Sequence, residues 1–431
     1  VRPVPGGELS YPGVWGESLG STVWHGFRIA HVRLYPQRAF RVDPASDWTT
    51  IEESSRFEIA VEMRPDDSHV VRPERRRDGE HRRRSEAVAS RVINPSAVNG
   101  YADTATSVVA ADKGFVPTDA PSMLGSAVDV LIITTPEMES VFQQLADWRT
   151  GLGVPTTVRT IDWIEQVTLP AEDRPATLRK FLTDAYMRWG VRWVLLGGDV
   201  EVIPSRMIYN TYYPAGSGTD IPVDLYYGGL DGDWNADGDE ILAEPYLNGV
   251  LTGDDADLVP ELLVGRAPVT TQAEAQVFVD KIIAYEHGSV GDHNGRVLMM
   301  SEVLFPSGYS SGDPITDDGA TYSEDIIDNV LFDKNVTVER LYEAWDLWPN
   351  ASPETPTSTI AAMDSGQYGI VNHVGHGFFY TMSVGTGTLG VKDASDLVND
   401  PNYFLLNNLN CASAAFDYNS IMERFVTNPN G

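Results

Sequence analysis

Two stretches decide how this chain is read. One is Tyr368-Gly-Ile-Val-Asn372, continuing as His373-Val-Gly375-His376-Gly377; the other is Leu405-Leu-Asn-Asn-Leu-Asn410-Cys411-Ala-Ser-Ala-Ala415. Each starts as a strand-sized apolar run and ends in a residue capable of chemistry with small neighbours. A histidine between two glycines keeps its ring accessible, and the Gly377 N–H can approach a ligand closely. Small residues after Cys411 leave room for a substrate and let the cysteine N–H help bind an oxyanion. A thiolate, a base beside it and oxyanion donors are the parts needed for nucleophilic acyl transfer. Two neighbouring parallel strands would assemble all three. His373 is the rival base, and a ring satisfied at the strand end is its plainer reading.

Outward from these stretches, apolar runs alternate with helical periodicity. Strands are expected at Val130–Thr134, Thr156–Arg159, Trp193–Leu196, Val297–Ser301, Tyr368–Asn372 and from Tyr403 to Asn410. Helices are expected over about 136–150, 176–189, 272–286 and 322–331. Strands apolar on both faces and separated by helices imply a largely parallel, helix-covered sheet, an α/β fold. In such a fold chemistry sits at the carboxyl ends of strands, where His376 and Cys411 fall. Residues 1–71 read instead as β-rich, with alternation over Val23–Leu34 and Phe57–Met63. Seven of the chain's 31 basic residues are arginines crowded between Arg72 and Arg84. That stretch has no large apolar residue and is expected to be an exposed, mobile segment. Residues 85–124 read as a connecting arm and 125–431 as the catalytic domain.

The totals set bounds. A chain of 431 residues suggests two or three domains. The net charge of −31 argues against nucleic acid, whose phosphates would be repelled. No apolar run is long enough to span a membrane. The single cysteine excludes a disulfide within the chain and a cysteine-rich zinc site. There is no HExxH arrangement, which argues against a metallopeptidase built on His373 and His376. The chain begins at Val1, consistent with a removed export signal.

A second motif concerns a cation. Asp233, Asn235, Asp237, Gly238, Asp239 and Glu244 fit the twelve-residue calcium loop, with oxygen ligands at alternate positions, glycine at the sixth and glutamate at the twelfth. Pro245 follows at once, so a structural Ca2+ site is expected rather than a helix-flanked sensor. Asp231 would add charge upstream. Asp313, Asp317 and Asp318 are candidates for a second ion, whereas Asp254, Asp255 and Asp257 read as a solvated loop.

Segments in a particular order then carry a family likeness: Trp193–Pro204, Val223–Gly228, Glu261–Ala267, Gly375-His376-Gly377, and Cys411 to Asp417. From about residue 125 onward the chain resembles the gingipain family of cysteine peptidases. The resemblance implies a caspase-like parallel α/β catalytic domain preceded by an all-β, sandwich-like prodomain that inhibits it. By that likeness His376 is the catalytic histidine, Cys411 the nucleophile, and the N–H groups of Gly377 and Cys411 the oxyanion hole. A carboxylate orienting the histidine is expected in the Gly198–Pro204 segment, with Glu201 preferred and Asp199 the competitor. Asp224 falls where arginine-specific members place the acid of the specificity pocket, where a carboxylate would pair bidentately with a guanidinium.

The expected function is therefore a secreted or cell-surface zymogen cleaving protein or peptide substrates after basic residues. Self-processing is expected in the arginine-rich segment, at Arg77 or Arg84, with Lys113 a lesser candidate. Calcium is the expected cofactor and the prodomain the expected inhibitory partner. The chain ends 20 residues after Cys411, and its sheet is expected to be completed by further residues, a separate carboxyl-terminal chain among the candidates. Two alternatives stand beside this reading: a sortase-like transpeptidase of the same family, and a non-catalytic calcium-binding surface protein in which Cys411 is a core thiol.

Overall fold

The structure is a computed structural model. It describes residues 2–3, 9–12, 14–24, 27–41, 50–60, 80–98, 128–209, 221–239, 241–244, 253–287 and 293–431. The chain forms two compact units. One comprises Val1–Phe115, Leu182–Arg188 and Arg206–Leu263; the other comprises Val116–Phe181, Trp189–Ser205 and Val264–Gly431. The stretch 206–263, read from sequence as part of the catalytic domain, thus clusters with the amino-terminal region.

The second unit holds two sheets rather than the one expected. In the first, Val130–Thr134 is central and pairs in parallel with Thr156–Thr160 on one side and Trp193–Gly197 on the other. Leu263–Ala267 lies outside Trp193–Gly197. The helices Glu139–Gly151 and Gln272–His287 cover this sheet, with Phe142, Leu145, Ala275 and Val279 buried in a common core.

The second sheet has five strands, ordered Ala351–Pro353, Thr337–Tyr342, Arg296–Ser301, Ile370–Val374, Leu405–Leu409, and every pairing is parallel. Along Arg296–Ser301 the side chains alternate between two cores. Val297 and Met299 face one with Tyr342 and Ala320, while Leu298 and Met300 face the other with Val371, Met382 and Leu389. Period-two alternation with both faces buried explains the continuous apolar run in the sequence. The expected α/β catalytic fold is therefore the one found.

The first unit is largely antiparallel. Gly16–Trp24 and Phe27–Leu34 form a hairpin, so the alternation over Val23–Leu34 belongs to two strands and not one. Arg2–Pro3, Leu9–Tyr11, Gln37–Arg41 and Thr50–Glu53 form a separate small sheet. Residues 57–60 are not a strand, which corrects that part of the Phe57–Met63 expectation.

The arginine-rich segment also departs from expectation where it is described. Glu80–Ala89 is a helix. Arg84 is half-buried and its Nη1 lies 3.0 Å from Oε1 of Glu261, whose side chain is only 1% exposed. The second Glu261 oxygen accepts the Leu230 N–H at 2.9 Å. Burial raises the Glu261 carboxyl above its ordinary range while Arg84 opposes the rise. Arg84 is thus a structural counter-ion within a helix, and not part of an extended, mobile segment. Arg77 and Lys113 lie outside the described residues.

Removing one partner of a buried ion pair leaves an uncompensated charge, at a cost of roughly 3–5 kcal/mol. Arg84→Ala is expected to lower the urea midpoint correspondingly, and Arg84→Met combined with Glu261→Leu to recover most of it. A wild-type midpoint in Arg84→Ala would show that the pair contributes nothing net.

Candidate active site

Three adjacent strands of the five-stranded sheet end in register. Ser301 pairs with Val374, and Val374 with Leu409. The residues immediately beyond are Glu302, Gly375-His376 and Asn410-Cys411, so His376 and Cys411 each stand two positions past a paired residue on neighbouring strands. Strands lie about 4.8 Å apart in the hydrogen-bonding direction. The Gly375 N–H donates to Leu409 O at 3.1 Å and carries the pairing one residue further.

Two glycines allow the close packing beyond the sheet. A Cβ on Gly377 would sit 2.5 Å from the Asn410 carboxamide, so the histidine loop runs directly against the residue preceding Cys411. A Cβ on Gly375 would sit 2.5 Å from Glu302 Oε2 and 2.7 Å from His373 Nε2. A side chain at either position would force these facing side chains to move.

Cys411 is exposed, which removes the core-thiol alternative. Among the described residues its N–H makes no hydrogen bond, leaving it available to an oxyanion. Ala412, next in the chain, takes a left-handed φ of 54°, turning the main chain sharply after the thiol. Gly377 opens a hairpin, pairing with Met382.

His376 is half-buried, and its Nε2 lies 3.0 Å from the carbonyl oxygen of Leu304. A carbonyl only accepts, so Nε2 carries the proton and Nδ1 keeps the lone pair. Nδ1 is therefore the basic atom. Phe305 stands edge-on to the ring, with centroids 6.3 Å apart. His373, by contrast, is fully buried with both nitrogens engaged, at 2.6 Å from the Asn408 carboxamide and 2.8 Å from Ser383 O. It has no capacity left to serve as base.

Two carboxylates stand near the histidine. Glu302 Oε2 accepts the His376 main-chain N–H at 2.7 Å, while Glu343 accepts the Val303 N–H at 2.9 Å and faces His376 electrostatically. Glu201 is exposed, and Asp199 and Glu201 instead surround Glu423. Near them, Arg266 is bonded to the carbonyls of Gly198 and Ile203 at 2.7 Å. Neither Glu201 nor Asp199 bonds His376. Glu302 sat in view as the polar residue directly after an apolar strand, the same signal that marked His376 and Cys411.

Burial pushes the Glu302 carboxyl up to about 7; the His376 N–H opposes this and the Glu343 charge adds to it. Glu343 is itself raised by burial, and so is Glu354, which is fully buried near both. Beside them opens a cavity of ≈420 Å³ lined by Tyr309, Ser310, Ser311, Glu343, Trp345, Asp346 and Thr386. Aromatic walls with two carboxylates suit a cationic side chain.

Asp224 is half-buried in the other compact unit, immediately before the single helical turn Leu225–Gly228. In that unit the calcium motif has folded in part as expected. Oxygens of Asp237, Asp239 and Glu244 lie within 4.8 Å of one another, the one such group among the described residues. Gly238 at the sixth position has φ 76°, the left-handed conformation that loop requires. Asp233 caps the Asn235 N–H at 3.0 Å and stands outside the convergent group. The converging oxygens and the turn fit a hard cation.

Two other acidic groups differ from expectation. Asp313 caps Ser310, Asp317 bonds the Tyr322 hydroxyl and Asp318 caps the helix Gly319–Ile326, so they do not converge on a second ion. Asp254 and Asp257 are buried, not solvated.

The raised Glu302 carboxyl binds its proton more tightly in the folded protein than in the unfolded chain. Its stabilising contribution is therefore present at low pH and lost as pH rises from about 4.5 to about 7. Glu302→Gln keeps an acceptor for His376 and removes the titration. The slope of stability against pH in that window is expected to become less negative by up to about 1.4 kcal/mol per pH unit. An unchanged slope would show that Glu302 titrates normally.

Residues 124–431 match the sequence family described as peptidase family C25. An uncharacterized protein of Archaeoglobus fulgidus is 24% identical over 293 residues, 67% of this chain and 66% of that one. Among solved structures, one described only as a protease has a TM-score of 0.50 at 17% identity, over 70% of this chain and 57% of its own. The Arg-specific cysteine proteinase gingipain R has a TM-score of 0.49 at 21% identity, over 71% of this chain and 60% of its own. A complex of pro- and mature domains of the same kind of enzyme from Porphyromonas gingivalis has a TM-score of 0.49 at 21% identity, over 70% of this chain and 62% of its own. The chain thus spans about two thirds or less of the length of these relatives. The family match takes in His376, Cys411 and the whole five-stranded sheet, and the chain belongs to peptidase family C25.

Proposed function

We propose that this chain is the precursor of an exported cysteine endopeptidase, with Cys411 as nucleophile and Nδ1 of His376 as base. The observation that supports the reading is the Val374–Leu409 register, which sets His376 and Cys411 each two positions past a paired residue on neighbouring strands. His376 takes the thiol proton at Nδ1, the Leu304 carbonyl holding the opposite nitrogen. The thiolate attacks the scissile carbonyl, and the oxyanion is met by the free Cys411 N–H together with that of Gly377. The imidazolium returns its proton to the leaving amine, and water releases the acyl-enzyme. Glu302 acts as a positioning residue, because it grips the main chain of His376 and not its ring.

Specificity for a basic residue before the scissile bond is supported by the acidic, aromatic-walled cavity beside Glu343. The family likeness puts Asp224 forward for the same task. Processing of the precursor is assigned to the arginines before residue 80, Arg77 among them, since Arg84 is helical and ion-paired. The inhibitory role of the amino-terminal β-rich part and the exported location rest on the family likeness. Calcium, held by Asp237, Asp239 and Glu244, would be structural.

Fluorogenic peptides ending in Arg, Lys or Leu test the proposal on calcium-loaded wild type. Turnover is expected to favour Arg and to fall by about 10³-fold or more in Cys411→Ala and in His376→Ala. Equal turnover in Cys411→Ala would sink the assignment. Loss of the Arg-over-Leu preference in Glu343→Gln with Asp346→Asn would place the cationic subsite in the cavity. Loss of that preference in Asp224→Asn alone would place it at Asp224. Mass spectrometry of self-processed material is expected to find the new terminus within residues 72–79 and none after Arg84.

A further inference from the structure

Beneath the strand ends runs a buried chain of polar side chains that the mechanism above does not use. It starts at His373, which stands directly opposite Asn408 on the neighbouring strand. Its Nδ1 lies 2.6 Å from one end of the Asn408 carboxamide, and its Nε2 lies 2.8 Å from the carbonyl oxygen of Ser383. The other end of that carboxamide lies 2.8 Å from the hydroxyl of Ser413, which is buried and also bonded to the Asn410 carboxamide. Asn410 immediately precedes Cys411 and packs against Gly377. On the opposite side, the Ser383 N–H donates to His376 O at 2.9 Å. The Ser383 hydroxyl bonds Glu302, the acceptor of the His376 N–H.

The direction of the chain follows from its chemistry. Ser383 O only accepts, so His373 Nε2 carries a proton. Burial pushes the ring's pKa down and favours its neutral form, so Nδ1 accepts. The end of Asn408 facing Nδ1 is then its N–H, and its oxygen accepts the Ser413 hydroxyl. Ser413 Oγ is left to accept from the Asn410 N–H. Turned the other way, the Asn410 nitrogen is buried with no partner among the described residues, so this orientation also gives it an acceptor.

We infer that His373 is a positioning residue for the reaction: through Ser383 it holds the main chain of His376, and through Asn408, Ser413 and Asn410 it holds the turn that presents Cys411. The inference rests on the Cys411–His376 reading given above. Strand register fixes where the strands end, but thiol and base lie on loops beyond those ends. A misplacement of about 1 Å there can cost roughly 10²-fold in rate. A buried network with every member satisfied is rigid, and this one reaches both loops from a single ring.

The chain has one cysteine, so alkylation by iodoacetamide reports Cys411 alone and needs no substrate. The full chain is compared as wild type, His376→Ala, His373→Phe, Ser413→Ala and Thr359→Val, the last removing a buried hydroxyl on the helix Pro356–Asp364. At about pH 6, wild type is expected to react about tenfold or more faster than His376→Ala, because the base draws the thiol proton. His373→Phe and Ser413→Ala are expected to lose most of that advantage, and Thr359→Val to keep it. Combining His373→Phe with Ser413→Ala is expected to cost no more than the worse single change, since both cut one chain. With a peptide ending in Arg, the same two changes are expected to lower kcat about tenfold and leave KM within about twofold. Wild-type alkylation in His373→Phe and Ser413→Ala, beside slow alkylation in His376→Ala, would overturn the inference and leave the peptidase reading standing. An equal loss in Thr359→Val would overturn it too, as general loosening. Equal rates in wild type and His376→Ala would remove the reading and the inference together. Should His373→Phe not fold, Ser413→Ala decides by the same readout.

Discussion

Everything at the site depends on one constraint, the parallel register that sets Ser301, Val374 and Leu409 level across three strands. Strand side chains alternate faces, so a slip of one residue would exchange the core-facing and outward-facing sets of a whole strand. Here both faces are packed, by Leu298, Met300 and Val371 on one side and Val297, Met299 and Ile370 on the other. The cores that bury those side chains therefore also fix where each strand ends. Glu302, His376 and Cys411 inherit their places from that edge. The glycines matter for the same reason: with a Cβ at 375 or 377, the histidine loop would be pushed off Glu302 or off Asn410. The hydrophobic interior and the chemistry are one arrangement seen at two depths.

This explains which parts could be read in the sequence and which could not. Strands such as Val130–Thr134 and Arg296–Ser301, and helices such as Gln272–His287, follow from local periodicity and appear close to their expected bounds. His376 and Cys411 were legible because a reactive residue among small ones, just past an apolar strand, is a local signal too. The Glu302 contact to the His376 main chain was not. To choose Glu302 over Glu201 one must know that Arg296–Ser301 borders Ile370–Val374, whereas Trp193–Gly197 belongs to another sheet. Strand order is non-local, and no window of sequence states it. Arg84 failed for a similar reason: an arginine-rich stretch reads as solvated until its partner, Glu261, appears from 177 residues away. Asp254 and Asp257 were misread because acid-rich loops are usually exposed, while here tertiary packing closes over them.

A net charge of −31 leaves carboxylates to be accommodated where no arginine or lysine reaches them. The structure handles this in two ways. Around His376, the buried Glu302 and Glu354 and the half-buried Glu343 stand near one another without their oxygens converging, and desolvation raises all three. Glu423, beside Asp199 and Glu201, is pushed up to about 8 for the same reason. Oxygens held apart cannot share one cation, and burial without a partner charge makes each of these carboxyls hold its proton more tightly than an exposed one.

At the Asp233–Glu244 loop the geometry is opposite. Three carboxylates from Asp237, Asp239 and Glu244 approach within 4.8 Å, close enough for their mutual repulsion to oppose the fold unless a charge lies between them. A proton is shared by two oxygens at most, and here three come together. A divalent cation would answer it well, since it meets several oxygens at once, and the left-handed turn at Gly238 suits such a loop. Separation between like charges thus decides how each is neutralised. Where the fold spreads its acids, burial raises their carboxyls close to His376, and where it gathers them it sets oxygens that fit a hard cation.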